Sequence, residues 1–480
     1  MERKTVTTNL FWRLAERFGA QGVTLIVSII LARLLDTAVY ATLEIVTIII
    51  TILQVFLDVG FSNALIQKKD ADDLDFSSVF YFNIASSAIV YLGLFFLSPL
   101  IASYYNMPEL TDVIRVLGLT LVVFSLKSVQ QAYVTRHMMF RTFFFATLGG
   151  TIGAAVVGIV MAYLGCGVWA LVMQHLFNMI VDTVILWFMV KWRPKAIFSW
   201  ARLKQLLSYG WKLLASGLLD TVYNSLNQLV IGKMYTPNDL SFYSQGKKYT
   251  EIFVTNINSS IDSVLFPTMS NEQDNPEKVK KITSRAIKTS TYLLMPIMMG
   301  LAVCAEPLVR LVMTEKWVPC VPYMRVFCFV FAFYPVHTAN LNAIKALGRS
   351  DILLKLEVAK KIVGISATAI TIWFGPMAIA YGLPVTSVIS QLLNASPNGK
   401  LIAYPYKEQL KDMLPQIILS LIMGALVYCV TFLQLSEILT LLIQMALGVF
   451  IYVGASIVTK NDSFLYILSA VKQGFKKTHN

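Results

Sequence analysis

Charged residues are scarce in this chain. Only 14% of its 480 residues are Asp, Glu, Lys or Arg, whereas soluble proteins carry about 25%. So little charge cannot coat the surface of a soluble protein, and it also excludes a disordered chain or a long coiled coil. Cysteine is scarce too, and the five copies have neither paired nor metal-ligand spacing. They are therefore interpreted as small core residues: Cys166, Cys304, Cys320, Cys328 and Cys429.

Signatures of catalysis are also missing from the sequence. It contains no Gly-rich phosphate loop of the Walker type, no metal-spaced cluster of His and Cys, and no nucleophile elbow. ATP-driven transport by this chain alone is therefore disfavoured. The chain is expected to be neither an enzyme nor a binder of a cofactor or metal.

Apolar residues, by contrast, make up 56% of the chain and fall into fourteen segments, from 10–34 to 436–459. A membrane-spanning helix needs about 20 apolar residues. The pattern therefore predicts an all-α, polytopic membrane protein with about fourteen transmembrane helices. The first span is expected to be retained, because Arg13, Glu16 and Arg17 stand where the apolar core of a signal peptide would begin.

The distribution of positive charge predicts the orientation in the membrane. The net charge is +13, and the charges lie in short runs between apolar segments rather than on one polar face, so nucleic acid is not an expected partner. Of the 40 Lys and Arg residues, 31 belong to one set of alternate connections and both termini, and 7 to the other set. Positive charge favours the cytoplasmic side, so both termini are predicted to be cytoplasmic.

A weak internal repeat with an offset of 200 residues suggests the division into domains. Residues 32–41 read ARLLDTAVYA and residues 232–241 read GKMYTPNDLS, which relates spans one and two to spans seven and eight. Two parallel halves follow from this spacing. The predicted divisions are an N-terminal lobe of spans one to six (1–190), a basic cytoplasmic linker (191–208), a C-terminal lobe of spans seven to twelve (209–399), spans thirteen and fourteen (400–459), and a basic cytoplasmic tail (460–480).

Polar residues form a stripe along one face of each helix that the repeat relates. In span two, for example, Gln54 and Asp58 follow Glu44 by 10 and 14 residues, which places all three on one face of a helix. An ionisable group inside a membrane costs roughly 2.5–3.5 kcal/mol, so such stripes should face a cavity or a partner. The candidate cavity residues are Arg13, Arg17, Gln21, Glu44, Gln54, Asp58, Lys127, Asp220, Asn224, Asn227, Lys248, Glu251, Asn258 and Asp262.

Two interpretations of the stripes stay open. In the first, spans one, two, seven and eight line one polar, water-filled cavity between the halves. In the second, each stripe forms hydrogen bonds between helices and stabilises their packing. The occurrence of four stripes on repeat-related helices favours the cavity. For Lys127 in span four, a place in the cavity and a local ion pair are equally compatible with the sequence.

Several short stretches, in order and spacing, resemble the Wzx-type polysaccharide flippases. These are the exporters of colanic-acid-like and teichuronic-acid-like polymers in the multidrug/oligosaccharidyl-lipid/polysaccharide exporter superfamily. The resemblance covers nearly the whole chain, although DTAVYA at residues 36–41 departs from the Ser/Thr-Pro-Glu-Asp-Tyr-Gly-like turn of similar proteins. It is carried by ERFGAQG from Glu16, NALIQKKD from Asn63, GVWALV from Gly167, KWRPK from Lys191, LLDTVYN from Leu218, AEPL from Ala305, EKWVP from Glu315 and GRSDILLKLEVAKK from Gly348.

This resemblance implies a function as well as a fold. Two six-helix lobes plus two extra helices in the bacterial plasma (inner) membrane would move an oligosaccharide repeat unit on undecaprenyl pyrophosphate from the cytoplasmic to the outer leaflet by alternating access. Implied partners are this lipid-linked substrate, membrane lipid, and a polymerase and glycosyltransferases of the same pathway. Arg17, with Arg13, is the candidate for the pyrophosphate, and Lys248 is its counterpart. The alternatives are a cation-coupled small-molecule antiporter of the same superfamily and a membrane enzyme of glycan assembly.

Overall fold

The computed structural model describes residues 3–58, 61–68, 70–137 and 139–469. Within these ranges, the description of side chains excludes residues 3–18 and six others, namely Asn63, Gln67, Phe140, Tyr209, Lys212 and Leu213. The side chains of Arg13 and Arg17, and the tail beyond residue 469, therefore lie outside the described part of the chain.

The described residues are helical and contain no strand, which confirms the all-α class. They divide into two compact units, Met1–Ser241 and Phe242–Asn480, here called unit 1 and unit 2. The helices that begin in unit 1 are α1 (Arg3–Leu34), α2 (Thr37–Asp58), α3 (Phe61–Gln67), α4 (Asp73–Tyr105), α5 (Leu110–Arg136), α6 (Phe140–Tyr163), α7 (Val168–Met189), α8 (Trp200–Met234) and α9 (Pro237–Ser270), and α9 continues into unit 2. Unit 2 adds α10 (Pro276–Val312), α11 (Val321–Ala332), α12 (Tyr334–Ala346), α13 (Ser350–Thr371), α14 (Pro376–Leu401), α15 (Tyr406–Cys429) and α16 (Glu437–Val458).

Nine helical segments of the described residues are long and apolar enough to cross a membrane, α11 and α12 counting as one. They confirm a polytopic membrane protein, and the number fourteen stays a prediction. The five other long helices, α1, α5, α8, α9 and α13, align with the remaining predicted spans but carry more polar residues. The helices with candidate cavity residues are thus mostly those of lower hydropathy, and α2 is the exception.

Two predicted spans are each divided in the structure. The segment predicted at 42–66 ends as α2 at Asp58, and the short α3 follows from Phe61. The segment predicted at 318–346 is interrupted at Phe333, between α11 and α12. Pro335 stands in the first turn of α12 and has no N–H to donate to the carbonyl of Phe331, four residues earlier, so the helical hydrogen bonds cannot continue from α11 into α12 at this point. Apolar runs alone do not reveal such breaks.

In unit 1, the residues after α7 form a strap across the start of α4. Trp192 Nε1 donates to Asp73 Oδ1 at 3.1 Å, and the backbone N–H groups of Lys195 and Ser199 donate to serine hydroxyls of α4 at 3.0 and 2.9 Å. Helix α8 begins at Trp200, directly after Ser199. The extended part of the predicted 191–208 linker therefore ends at Ser199.

The start of α4 carries a capping box. The Asp72 carboxylate accepts from the backbone N–H of Asp75 at 3.0 Å, and Asp75 accepts in return from the N–H of Asp72 at 3.3 Å. The bond from the Asp75 N–H holds the pKa of Asp72 below its usual 3.8. This cap and the strap hold the start of α4 against the beginning of α8.

In unit 2, the long α10 packs against α11, α12, α15 and α16. Helices α13 and α14 pair with each other, and α14 also packs on α11 and α12. An apolar cluster that includes Val279, Ile287 and Met413 joins one end of α10 to α15. A second cluster that includes Tyr292, Met423 and Tyr452 joins α10 to α15 and α16.

The cysteines are unbonded, and their environments differ. Cys304, Cys320 and Cys328 are buried in unit 2, as expected of small core residues. Cys166 is half-buried and Cys429 is exposed, so the interpretation as a core residue is wrong for Cys429. Cys429 is the last residue of α15, where the neighbouring Tyr428 is exposed as well.

Candidate functional site

The polar face of α8 is exposed far from the ends of the helix. Asp220 and Asn224 are exposed, and Asn227 is half-buried one turn further along. Asp220 is 14 residues from the end of α8, or about 21 Å at 1.5 Å per residue. An exposed carboxylate at that depth is stable only beside water or other polar groups, because hydrocarbon does not solvate charge.

Helix α2 faces α8 through a direct polar contact. Gln228 of α8 donates from Nε2 to Oε1 of Glu44 at 2.7 Å. Two of the four polar stripes therefore meet within unit 1, and Gln228 is a buried residue. In the sequence, Gln228 follows Asp220 by eight residues and therefore shares its helix face, but this spacing does not identify Glu44 as its partner. This bond is of the kind that stabilises helix packing in membranes.

The remaining candidates of α2 lie toward its C-terminal end. Gln54 and Asp58 are half-buried, four residues apart on one face. The carboxylate of Asp58 accepts from the hydroxyl of Ser62 at 2.5 Å, which joins the end of α2 to α3. A local hydrogen bond across the break between α2 and α3 therefore accounts in part for the presence of a carboxylate at position 58.

Helix α1 contributes one described candidate. Gln21 is exposed, as is Thr24 one turn later, whereas Ser28 is half-buried and donates to the carbonyl of Leu25. Arg13 and Arg17 belong to the same helix but to the part whose side chains are not described.

Lys127 has a local partner. Its ammonium forms an ion pair with Asp182 of α7, and the two side chains are only 12% and 10% exposed. Gly150 of α6 lies against Asp182, where an added Cβ would come within 3.1 Å of the Asp182 Cβ. The pair is therefore enclosed by α5, α6 and α7, which favours the local ion pair over a place in the cavity.

In unit 2, the stripe of α9 is partly exposed. Lys248 is exposed and Glu251 is half-buried. Asp262 is exposed, and its carboxylate accepts from Nδ2 of Asn342 in α12 at 2.8 Å. The buried side-chain oxygen of Asn258 has no hydrogen-bond partner among the described residues. Because an unpaired buried acceptor is costly, Asn258 can accept a hydrogen bond from water or a ligand.

An ion pair in α13 is not among the candidate residues predicted from the sequence. Lys360 donates to Glu357 at 2.6 Å and is only 16% exposed, about ten residues into the helix. In the sequence, Lys360 adds to the positive charge at the predicted cytoplasmic side and resembles an ordinary membrane anchor. The available signal was the spacing of three residues between the opposite charges, which places both on one face.

The described candidates thus offer carboxylates, amides and one exposed lysine, without a cluster of His, Cys, Asp and Glu that could hold a metal. Carboxylates and amides accept and donate hydrogen bonds to hydroxyl-rich molecules. The exposed carboxylates and amides within each unit therefore suit the binding of a polar, hydroxyl-rich group along a helix face.

Comparison with known proteins shows resemblances in sequence. Residues 30–322 match a family described as polysaccharide biosynthesis protein. The chain is 25% identical over 375 residues to the lipopolysaccharide biosynthesis protein WzxC of Escherichia coli (strain K12), which covers 78% of this chain and 76% of the relative. It is 23% identical over 367 residues to the succinoglycan biosynthesis transport protein ExoT of Rhizobium meliloti (strain 1021), at 76% and 74% coverage.

The fold resembles that of a solved lipid transporter. The lipid II flippase MurJ, in an inward closed conformation, superimposes with a TM-score of 0.76 over 94% of this chain and 99% of that protein. The sequence identity is 16%, so this likeness shows a shared fold. The all-α transporter fold predicted from the resemblance in sequence is thereby confirmed, and the division into two six-helix lobes and two extra helices stays a prediction.

Proposed function

The chain belongs to the polysaccharide biosynthesis protein family, and from this membership we propose that it flips a lipid-linked oligosaccharide across the bacterial plasma membrane. The substrate is a repeat unit of a surface polysaccharide on undecaprenyl pyrophosphate, and alternating access carries it from the cytoplasmic to the outer leaflet. Transport leaves the bonds of the substrate unchanged. A polymerase and glycosyltransferases of the same pathway consume and supply the substrate.

The observation that carries this proposal is the exposed carboxylate and amide face of α8, with Asp220 and Asn224 far from both ends of the helix. Sugar hydroxyls lose their bonds to water when they cross the membrane, and unpaired they would cost several kcal/mol. A helix face of carboxylates and amides replaces those bonds. The prenyl chain stays in lipid, where it needs no such partners.

The two ends of the substrate path require cations. A pyrophosphate binds best to arginine, whose planar guanidinium forms two parallel hydrogen bonds. Arg17, with Arg13 nearby in α1, is the proposed contact at the cytoplasmic side, and Lys248 of α9 is the proposed counterpart at the outer side. Within unit 1 the proposed sugar contacts are Gln21, Glu44, Gln54, Asp58, Asp220, Asn224 and Asn227. Within unit 2 they are Glu251, Asn258 and Asp262.

The test is to deplete the chain in its host and follow the lipid-linked repeat units. They should accumulate in the cytoplasmic leaflet, protected from reagents added outside, and surface polymer should be lost. Wild-type protein should restore export, and Arg17→Ala should be inserted normally but restore little. Arg17→Lys, which keeps the charge and loses the planar fork, should be intermediate.

Three outcomes would contradict parts of this proposal. If depletion leaves the lipid-linked units in the outer leaflet, the chain does not flip them, and a role in later assembly or in small-molecule export replaces flipping. If Arg17→Lys exports normally while Arg17→Ala only lowers the amount of inserted protein, Arg17 anchors the helix and does not hold pyrophosphate. If both variants export normally, Arg17 has neither role.

A further inference from the structure

An apolar groove lies between three helices of unit 1. Its cavity volume is about 400 Å³, within the range of natural ligand pockets. The walls are formed by α2, α4 and α8, and they include Ile49, Ile52, Leu97, Leu100, Tyr104 and Leu229. None of these residues belongs to the polar stripes, so the groove is separate from the proposed substrate path for the sugar.

The groove is open along α4. Leu97, Leu100 and Tyr104 are 52%, 66% and 57% exposed, although each contributes to a concave wall. From Leu97 to Tyr104 the helix rises about 10 Å. A flexible apolar chain can therefore enter from the side and lie along the wall over that length.

One end of the groove carries a positive charge. The ammonium of Lys233, in the last turn of α8, donates to the carbonyl of Tyr104 and lies 4.3 Å from the centroid of the Tyr104 ring. Helix α4 ends at the next residue, Tyr105. A lysine ammonium has three N–H donors, so contact with one carbonyl leaves donors for an anion. Lysine and tyrosine together are typical of the headgroup level of a membrane.

We propose that this groove binds the first isoprene units of the substrate's prenyl chain, with Lys233 beside the pyrophosphate. The inference rests on the proposed function, and it adds a binding site for the lipid part of the substrate. A single long apolar chain with an anionic head matches a single apolar groove with one cation at its end. In the proposed topology, Tyr104 and Lys233 lie at the outer surface, so the site receives the lipid after it has been flipped.

The experiment compares two leucines of α4 that differ in position but not in type or exposure. Leu97 lines the groove, whereas Leu92 is 53% exposed and turned well away from it. A photoreactive p-benzoylphenylalanine replaces either leucine in the full chain, reconstituted in vesicles that contain radiolabelled undecaprenyl pyrophosphate. Labelling at position 97 should exceed labelling at position 92 at least fivefold. Excess unlabelled undecaprenyl pyrophosphate should abolish it, and phosphatidylglycerol should not.

The cation is tested in the same assay. Lys233→Gln should lower labelling at position 97 at least threefold, and Lys233→Arg should preserve it. Equal labelling at positions 97 and 92, or equal competition by phosphatidylglycerol, would overturn the proposal, because the groove would then hold ordinary membrane lipid. Unchanged labelling in Lys233→Gln would show that the pyrophosphate does not bind beside Lys233 and that the groove makes only an apolar contact with the prenyl chain.

Transport measured in the same vesicles separates this site from the proposed function. If the wild-type chain translocates lipid-linked oligosaccharide but positions 97 and 92 label equally, the groove proposal fails alone. If selective labelling occurs without translocation, the site stands as a prenyl-lipid site and the proposed function fails. A groove-filling Leu100→Trp should reduce both labelling and transport, while Leu92→Trp should change neither.

Discussion

At the scale of single residues, burial decides what a charge does. Lys127 and Asp182 are nearly enclosed and form an ion pair, whereas Asp220 is exposed in the middle of its helix. A buried pair costs desolvation free energy, and loss of one partner leaves the other charge uncompensated. The ion pair between Lys127 and Asp182 therefore holds three helices in one arrangement. The exposed carboxylate of Asp220 is instead accessible to water or substrate.

The ion pair makes a prediction about stability. Lys127→Met or Asp182→Leu alone should destabilise unit 1 by about 3–5 kcal/mol, because each leaves one charge buried without a partner. The double variant should recover most of the loss, since two apolar residues of similar size replace both charges. Thermal unfolding in detergent measures the change in midpoint for all four proteins.

Export by the double variant separates the two interpretations of Lys127. If the pair is structural, the stable double variant should export polymer at a level close to wild type. A double variant that is stable but inactive would instead assign Lys127 or Asp182 to the substrate path. No recovery of stability in the double variant would contradict the ion-pair explanation itself.

At the scale of helices, the breaks and caps depend on contacts that lie outside each element. Helix α4 starts at a capping box, and α8 starts at Ser199, whose side chain accepts from the N–H of Arg202. Both starts are readable from the sequence as cap residues. The strap between α7 and α8 is not readable, because Trp192 meets Asp73 across more than a hundred residues.

The polar face of α8 makes a prediction about accessibility. Cysteine in place of Asp220 or Asn224 should react with a charged methanethiosulfonate much faster than cysteine in place of Leu219. Leu219 is 57% exposed on the same helix, and it should face lipid, where the charged reagent does not enter. The rate of modification in membranes, measured by loss of a later fluorescent label, is the readout.

The background for this measurement follows from the native cysteines. Cys166 and Cys429 are the two that are not buried, and both are replaced by serine beforehand. Similar rates of cysteine modification at all three positions of α8 would show that its polar face is no more accessible to water than its apolar face. The stripe would then serve helix packing, as the bond between Glu44 and Gln228 already does.

At the scale of the whole molecule, charge distribution makes a prediction about topology. Asn106 and Gln273 are both exposed and lie in connections assigned to opposite sides by the excess of Lys and Arg. In the variant without Cys166 and Cys429, an impermeant maleimide added outside should label cysteine at position 106 and not at position 273. Permeabilised cells should label both. Labelling of position 273 alone in intact cells would reverse the orientation.

Much of this protein is determined by its sequence alone. A low share of charge and fourteen apolar segments dictate a polytopic helical membrane protein, because hydrocarbon admits only segments whose backbone hydrogen bonds are satisfied internally. Helical spacing likewise assigns Asp220 and Asn224 to one face of α8, since that relation is local. The family follows from ordered short stretches, none of which requires a structure.

The tertiary structure decided which residues meet. Partners for Lys127, Glu44 and Asp262 come from other helices, and no local pattern names a partner 55 to 184 residues away. The break at Phe333 and the groove at Leu97 arise for the same reason: both depend on how neighbouring helices pack. Periodicity reports which face of a helix is polar or apolar, and only packing determines whether that face meets another helix, water or lipid.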